Sequence, residues 1–300
     1  MADHGKQWPA RAKINLFLHV TGRRPDNYHC LESLVVFADV ADLIEVEDSD
    51  RLSLGIHGPF AAGLPNDRDN LVLQAALLLA KATGREPRGR IILHKNLPVA
   101  AGIGGGSADA AAALLALRSL WRATIDDDDL FELAAELGAD VPVCLNGQPA
   151  MMRGIGHDIS PAPALPRCAI LLVNPNQSVI TADVFRNLLP PYSPPLERPE
   201  LSAVRQISDL NRSRNDLEPA ARALAPVIGE VLHDLAGLDP CRLARMSGSG
   251  ATCFGLFDKL SEARAAAAKI AARRPEWWVR AGLIACTNPA PGPDPDRGLD

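Results

Sequence analysis

Residues 97–114 run Leu-Pro-Val-Ala-Ala-Gly-Ile-Gly-Gly-Gly-Ser-Ala-Asp-Ala-Ala-Ala-Ala-Leu, a glycine-dense turn that passes without a break into an alanine-rich helix. Gly102, Gly104, Gly105 and Gly106 lack the Cβ that keeps a ligand off the backbone. They also accept φ > 0, so successive N–H groups can converge on one point. Ser107 stands where the helix is expected to begin, and the unpaired N–H groups of the first turn add the positive end of the helix dipole. Each ordered glycine costs roughly 0.5–1 kcal/mol relative to alanine, a cost that a plain strand-to-helix connection has no need to bear. The pattern predicts an anion site with a nucleotide phosphate as its guest.

Two other phosphate loops fit less well. A Walker A loop requires Gly-Lys-Ser/Thr after its spacer, and no lysine follows here. A dinucleotide fingerprint requires G-x-G-x-x-G directly after a strand. Here Ser107 occupies the place of the third glycine, and Leu97-Pro98 separate the loop from the strand-like Ile91–His94.

Three hundred residues exceed what one core usually organises, so two domains are expected. The 47% apolar content is ordinary, but only 4% is aromatic, which leaves the core to Ala, Leu, Val and Ile and makes an exposed-looking aromatic informative. A net charge of −5 argues against a nucleic-acid partner, which would call for a basic face. Cys30, Cys144, Cys168, Cys241, Cys253 and Cys286 show no C-x-x-C spacing and read as reduced thiols rather than zinc ligands or disulfides. The opening Met-Ala-Asp-His-Gly-Lys has no apolar run, and no stretch reaches the length of a membrane span. The expectation is a cytoplasmic protein with no membrane partner; nothing in the sequence sets an oligomeric state.

Branched and alternating residues predict strands at Ala12–Val20 and Leu31–Val36, with Leu43–Glu47 and Leu52–Ile56 extending the sheet as a hairpin. A buried helix is expected over Asn70–Thr83, a strand at Arg90–Lys95 and a helix over Ser107–Trp121. Asp126-Asp127-Asp128-Asp129 suit the N-terminus of a helix over Leu130–Leu137, where negative side chains meet the positive end of the dipole. Pro161, Pro163 and Pro166 interrupt the pattern, placing a first domain at 1–162 and a second at 163–288. The second alternates strand and helix: Cys168–Val173, Thr181–Asn187, Asp216–Ala225, Val227–Leu235, Cys241–Arg245, Cys253–Phe257 and Leu260–Ala272. Pro289–Asp300 is Pro-, Gly- and Asp-rich and reads as a disordered tail.

Other residues carry possible chemistry. Asp140 follows Gly138 and precedes Val141-Pro142, a pattern that by itself suits a helix cap. Lys13 sits in an apolar strand, and Asn15, two residues on, shares its face. Tyr28 is one of two tyrosines, and with His29 it offers a stacking face and a hydrogen-bonding group suited to a nucleobase. Ser107 could cap its helix, bind phosphate or touch a metal.

Four segments together resemble the GHMP kinases, the superfamily of galactokinase, homoserine kinase, mevalonate kinase and phosphomevalonate kinase. They are Pro98–Ser107, of the form P-x-x-x-G-x-G-G-G-S; Ala12-Lys13-Ile14-Asn15-Leu16 with the Gly22–His29 loop; Leu137-Gly138-Ala139-Asp140-Val141-Pro142; and Met246-Ser247-Gly248-Ser249-Gly250-Ala251. They span nearly the whole chain in the family's order. The resemblance implies an α/β fold of the α+β type, with a catalytic cleft between two domains. Within the superfamily the chain is similar to the branch that uses ATP to phosphorylate the 2-hydroxyl of 4-diphosphocytidyl-2-C-methyl-D-erythritol, in the non-mevalonate isoprenoid route.

That branch implies roles residue by residue. Asp140 is the base and Lys13 its partner. Pro98, Val99, Ala100, Ala101, Gly102, Ile103, Gly104, Gly105, Gly106, Ser107 and Ala108 form the ATP loop, with Asn70 and Lys95 near the adenosine. Asn15 meets the polyol, Tyr28 and His29 read the cytosine and Phe185 covers it, while Gly248 and Ser249 approach from the second domain. Mg²⁺ is implied by ATP, without a dedicated protein ligand set. Asn27 stands where the family has glycine and Ala108 where a second serine is common; Asn tolerates the left-handed conformation such a turn requires. A mevalonate- or homoserine-type kinase would not need Tyr28. A nucleotide sensor without turnover would need neither Lys13 nor Asp140.

Overall fold

Apolar alternation along the first fifty positions produces two long antiparallel strands, β1 (Trp8–Arg23) and β2 (His29–Glu47). In the computed structural model, which describes residues 7–162, 165–194, 204 and 206–285, they pair from Trp8 opposite Ile44 to Arg23 opposite His29. The stretches expected as separate strands at Leu31–Val36 and Leu43–Glu47 are one element, since no glycine or proline interrupts residues 31–47.

The hairpin expected between Leu43–Glu47 and Leu52–Ile56 does not form. β3 (Ser53–His57) lies parallel to β4 (Arg90–His94), and β4 takes the place beside β2, from Leu43 opposite His94 to Glu47 opposite Arg90. Burial decides the order: β4 buries Ile91 and Leu93, whereas β3 buries only Leu54 and is left at the edge. Parallel neighbours require a crossover, which α1 (Leu71–Ala82) supplies between them.

α2 (Gly105–Leu120), α3 (Asp127–Leu137) and α4 (Val141–Asn146) follow. The alanines 110–113 of α2 are buried and pack with Leu79 of α1 and Ile91 of β4 in a first core. The aspartate run is a helix start as expected, Asp126 capping α3 through the N–H of Asp129 at 2.8 Å. A hairpin not expected from the sequence, β5 (Ala150–Gly154) and β6 (Asp158–Pro161), extends the sheet beside β2.

The second half comprises β7 (Ala169–Asn174), α5 (Thr181–Arg186), a 3-10 turn (Ile207–Arg212), α6 (Glu218–Leu224), α7 (Val227–Ala236), β8 (Leu243–Met246), β9 (Cys253–Phe257), α8 (Leu260–Arg273) and β10 (Trp278–Ala285). β10, also unexpected, joins the halves: it pairs with β7 and with Phe37–Ala38 of β2. One sheet therefore runs β3-β4-β2-β10-β7-β9-β8, with β1 and β5 also on β2 and β6 on β5. A second core gathers Ile228, Val231 and Ile270 with Leu18 and Val20 of β1. The tail expected at Pro289–Asp300 lies outside the described residues. Among the described residues no helix is long and apolar enough to cross a membrane.

Candidate active site

β1 pairs with a strand on one edge only, and its other edge is the seam from which the site hangs. Lys13 gives its backbone N–H to Ile103 O at 2.9 Å, and Asn15 gives its own to Ser247 Oγ at 3.1 Å. Leu18 then donates to Arg214 O and Val20 to Asp216 Oδ2. The shift from odd to even positions follows from an irregularity between Asn15 and Phe17, which oppose the consecutive residues Val35 and Leu34. One extra residue, Leu16, reverses which N–H groups face outward. The glycine loop, the 247–250 turn and the 214–216 segment are thereby fixed along one strand edge.

Ala100, Gly102 and Gly104 of the loop have φ of 50°, 72° and 62°. α2 begins at Gly105 rather than at Ser107, because Gly104 takes the cap position in the left-handed region; Ser107 is the third helical residue. Gly104 has no capping side chain, so the protein leaves the first-turn N–H groups without an intrahelical acceptor. Gly104, Gly105, Gly106 and Ser107 line a cleft of about 470 Å³, together with Ala100, Ala101 and Gly102. Ile103 and Ala108 are buried, Pro98 is buried at the loop entry, and Val99 is exposed.

Neither adenosine-side candidate lines that cleft. Asn70 caps α1, accepting from Val72 N at 2.9 Å and donating to Pro65 O at 2.8 Å. Lys95 is buried, with its ammonium between Asp42 and Asp109, 2.6 Å from Asp109 Oδ2. Asp42 also accepts the N–H of Leu97 at 2.8 Å, so this triad anchors the chain where it enters the loop. Burial works against the charge of Lys95, but the two carboxylates outweigh it and hold its pKa above the ordinary value. Burial, helped by the charge of Asp42 and opposed by Lys95, pushes Asp109 up.

Asp140 occupies the cap position of α4, with Pro142 in the first turn, yet its side chain makes no capping bond. It turns to Lys13 instead, with Oδ2 2.9 Å from Nζ. The lysine side chain is 7% exposed and the carboxylate 40%, so the cation is held in the wall while the acid faces the opening. A Cβ on Gly104 would sit 3.2 Å from Lys13 Cβ and Cε; the glycine allows the loop to rest on the lysine stem. Asn15 lines the cleft beside them, as its place on the Lys13 face predicts.

From the other side come Gly248 and Ser249, with Ser249 Oγ 2.8 Å from Thr181 Oγ1. Phe185 of α5 also lines the cleft, and its ring stacks on His29 with centroids 5.1 Å apart. Burial, then the charge of Arg23, lowers the pKa of His29. Tyr28 is 62% exposed beside it. Asn27 has φ 70°, the conformation expected where glycine is usual, and the turn is held by Arg24 N–H to Tyr28 O at 2.7 Å and Tyr28 N–H to Asp26 Oδ1 at 3.2 Å.

Thr181, Ser33 and Ser247 escaped the sequence reasoning. A signal was available for Ser33, a lone hydroxyl in the apolar run Leu34-Val35-Val36-Phe37 that faces a strand already carrying Asn15.

Comparison with known proteins identifies the family. The family described as GHMP kinases N terminal domain matches residues 70–148, and GHMP kinases C terminal matches residues 195–275. The 4-diphosphocytidyl-2-C-methyl-D-erythritol kinase of Paramagnetospirillum magneticum is 50% identical over 272 residues, covering 90% of this chain and 95% of that one. That of Cereibacter sphaeroides is 52% identical over 274 residues, covering 90% and 96%. A crystal structure of 4-(cytidine 5'-diphospho)-2C-methyl-D-erythritol kinase superposes with a TM-score of 0.78 at 37% identity, covering 93% of this chain and 99% of that one.

Proposed function

The chain belongs to the GHMP kinases, and from that premise we propose that it transfers the γ-phosphoryl group of ATP to the 2-hydroxyl of 4-diphosphocytidyl-2-C-methyl-D-erythritol. The observation that carries the proposal is the Lys13–Asp140 pair, 2.9 Å apart, in the cleft lined by the glycine-rich start of α2.

Phosphoryl transfer to an alcohol needs a cradle for the phosphates, a proton acceptor and positive charge at the transferring group. The N–H groups of Gly104 to Ser107 cradle the phosphates at the positive end of α2. Asp140 takes the hydroxyl proton. Lys13, held against Gly104, orients the Asp140 carboxylate and directs its own charge toward the transferring group. Asn15 binds the polyol, and Gly248 and Ser249 close the cleft from the far side. Tyr28 stacks on the cytosine and neutral His29 hydrogen-bonds its edge. The Tyr28 loop favours a cytidyl substrate over mevalonate or homoserine, neither of which carries a base.

Mg²⁺ arrives with ATP in this proposal. Among the described residues no group of three His, Cys, Asp or Glu could hold a metal. Mg²⁺ of this kind keeps its waters and binds through substrate phosphates, and the Ser107 hydroxyl is the protein group that would reach it. When bound, the ion would supply charge neutralisation for the phosphates. The domain division at 162/163 is supported by the proline cluster and by the family matches lying on either side of it. A cytoplasmic location fits a small-molecule kinase of this kind.

The test is incubation with Mg-ATP and, separately, 4-diphosphocytidyl-2-C-methyl-D-erythritol, mevalonate, homoserine and galactose, followed by phosphorus resonances. Turnover of the first alone is expected, and preferential turnover of another overturns the substrate.

A further inference from the structure

Asn15 is 3% exposed and Ser33 2% exposed, and both line the cleft. Ser33 Oγ lies 2.6 Å from the carbonyl of Phe17 and 2.7 Å from Asn15 Nδ2. A carbonyl only accepts, so the single hydroxyl hydrogen of Ser33 is committed to Phe17. The oxygen of Ser33 can then only accept, and Asn15 must present its NH₂ group to it. The amide orientation is therefore dictated by donor and acceptor chemistry.

The consequence falls on the other end of the amide. Asn15 Oδ1 is buried and has no hydrogen-bond partner among the described residues, although an unanswered buried acceptor is costly. A second serine fixes the backbone of the same residue in the same way: Ser247 Oγ accepts from Asn15 N at 3.1 Å and donates to Gly102 O at 3.0 Å. Asn15 is thus clamped by two hydroxyl relays, and Oδ1 is left as the unanswered acceptor of a residue that lines the cleft.

We propose that Ser33 is a specificity-determining positioning residue: by locking the Asn15 amide it makes Oδ1 an obligate acceptor that selects a hydroxyl donor on the substrate. The selected group is a second alcohol, distinct from the one beside Asp140. This rests on the kinase function proposed above. In that substrate the 2-hydroxyl reacts and the 4-position carries the diphosphocytidyl group, so the 1- and 3-hydroxyls are the candidate donors. An ether, carbonyl or carboxylate at that place would face Oδ1 acceptor to acceptor.

The test compares wild type, Ser33→Ala, Ser33→Cys and Ser33→Thr on the parent substrate and on its 1-deoxy and 3-deoxy analogues. In the wild type, one analogue should lose about ten- to a hundredfold in kcat/KM, the loss expected for one unanswered buried hydrogen-bonding group. Ser33→Ala frees the amide to rotate, so activity on the parent should fall while the penalty for that analogue largely disappears. Ser33→Cys, close in size and a poor acceptor, should behave alike if the alanine variant folds badly. Ser33→Thr keeps the hydroxyl and should keep the penalty, and KM for ATP should not move in any variant. Equal penalties in wild type and in Ser33→Ala or Ser33→Cys, or none in the wild type, overturn the role of Ser33. No turnover of the parent substrate by the wild type overturns the proposed function instead.

Discussion

Gly102 and Gly248 meet where neither has room for a side chain. A Cβ on Gly248 would lie 2.6 Å from Gly102 O, and one on Gly102 would lie 2.5 Å from Ser247 O and 2.7 Å from Gly250 N. Both have positive φ, at 72° and 54°. The glycine loop and the C-terminal turn are therefore in backbone contact, and Thr252 N–H to Ala101 O at 3.1 Å continues the contact.

That contact separates two kinds of glycine in one loop. Gly102→Ala should destabilise the fold by about 1–3 kcal/mol through overpacking and a disfavoured φ, seen as a lower Tm without ligand. At Gly106 a Cβ meets only Leu71 Cδ1, at 3.8 Å. Gly106→Ala should leave Tm unchanged or slightly raised, while ATP affinity falls about tenfold or more, because the methyl enters the phosphate space. Calorimetric ATP titration of a folded Gly106→Ala protein with normal affinity would remove the phosphates from this loop.

Tyr28→Ala should raise KM for the cytidyl substrate by about 5- to 150-fold, matching the roughly 1–3 kcal/mol of a base–aromatic stack, with ATP KM unchanged. Its neighbour adds a pH signature. His29 has its pKa lowered by burial and by Arg23, so it is neutral at pH 7 and gains its proton only on the acid side of the ordinary histidine range. Substrate KM should be flat above neutrality and rise toward acid. Steady-state kinetics of His29→Asn should show that acid limb gone.

The buried triad beneath the loop predicts a pH dependence of stability. Burial raises the pKa of Asp109 to about 8, so the folded state holds a proton that the unfolded chain has released. Stability contributed by this group therefore falls as pH rises from the ordinary carboxylate range to about 8, where the unfolded state binds fewer protons than the folded one. Asp109→Asn should flatten that slope in a plot of Tm against pH, while Asp42 still pairs with Lys95. Lys95→Met should be strongly destabilising, by about 3–5 kcal/mol, since it leaves buried Asp42 without its cation.

The legibility of the site follows the same physics. Strand alternation places Lys13 and Asn15 on one face, whereas the local pattern at Asp140 reads as a helix cap and only the family resemblance brings it to the site; all three line the cleft. Lys95 was not legible: its motif position is adjacent to the loop, but its ammonium is claimed by Asp42 and Asp109, whose approach depends on β2 and α2 folding against β4. The placement of β3 was hidden for a similar reason, since a hairpin and a strand displaced by β4 look alike locally and only burial of Ile91 and Leu93 separates them. Ser107 looked like a cap because serine favours caps, but the left-handed Gly104 starts the helix earlier.

The proposed catalytic pair, Lys13 and Asp140, gives the sharpest expectation. Asp140 makes no cap bond and its carboxylate meets Lys13, so Asp140→Asn removes no capping interaction, and any fall in Tm reports the lost ion pair to the largely buried lysine. Without a base, kcat should fall by roughly 10²–10⁴-fold with modest change in substrate KM. Lys13→Met should be similarly damaging. Lys13→Arg should not rescue, because a planar guanidinium does not reproduce the compact ammonium held 2.9 Å from Asp140 Oδ2. Since the two residues work as one unit, the double variant Lys13→Met/Asp140→Asn should be little slower than the slower single variant. Single-turnover measurements decide it: multiplicative losses would mean that lysine and aspartate act on different steps, and near-normal turnover by folded Asp140→Asn would leave proton transfer to another group.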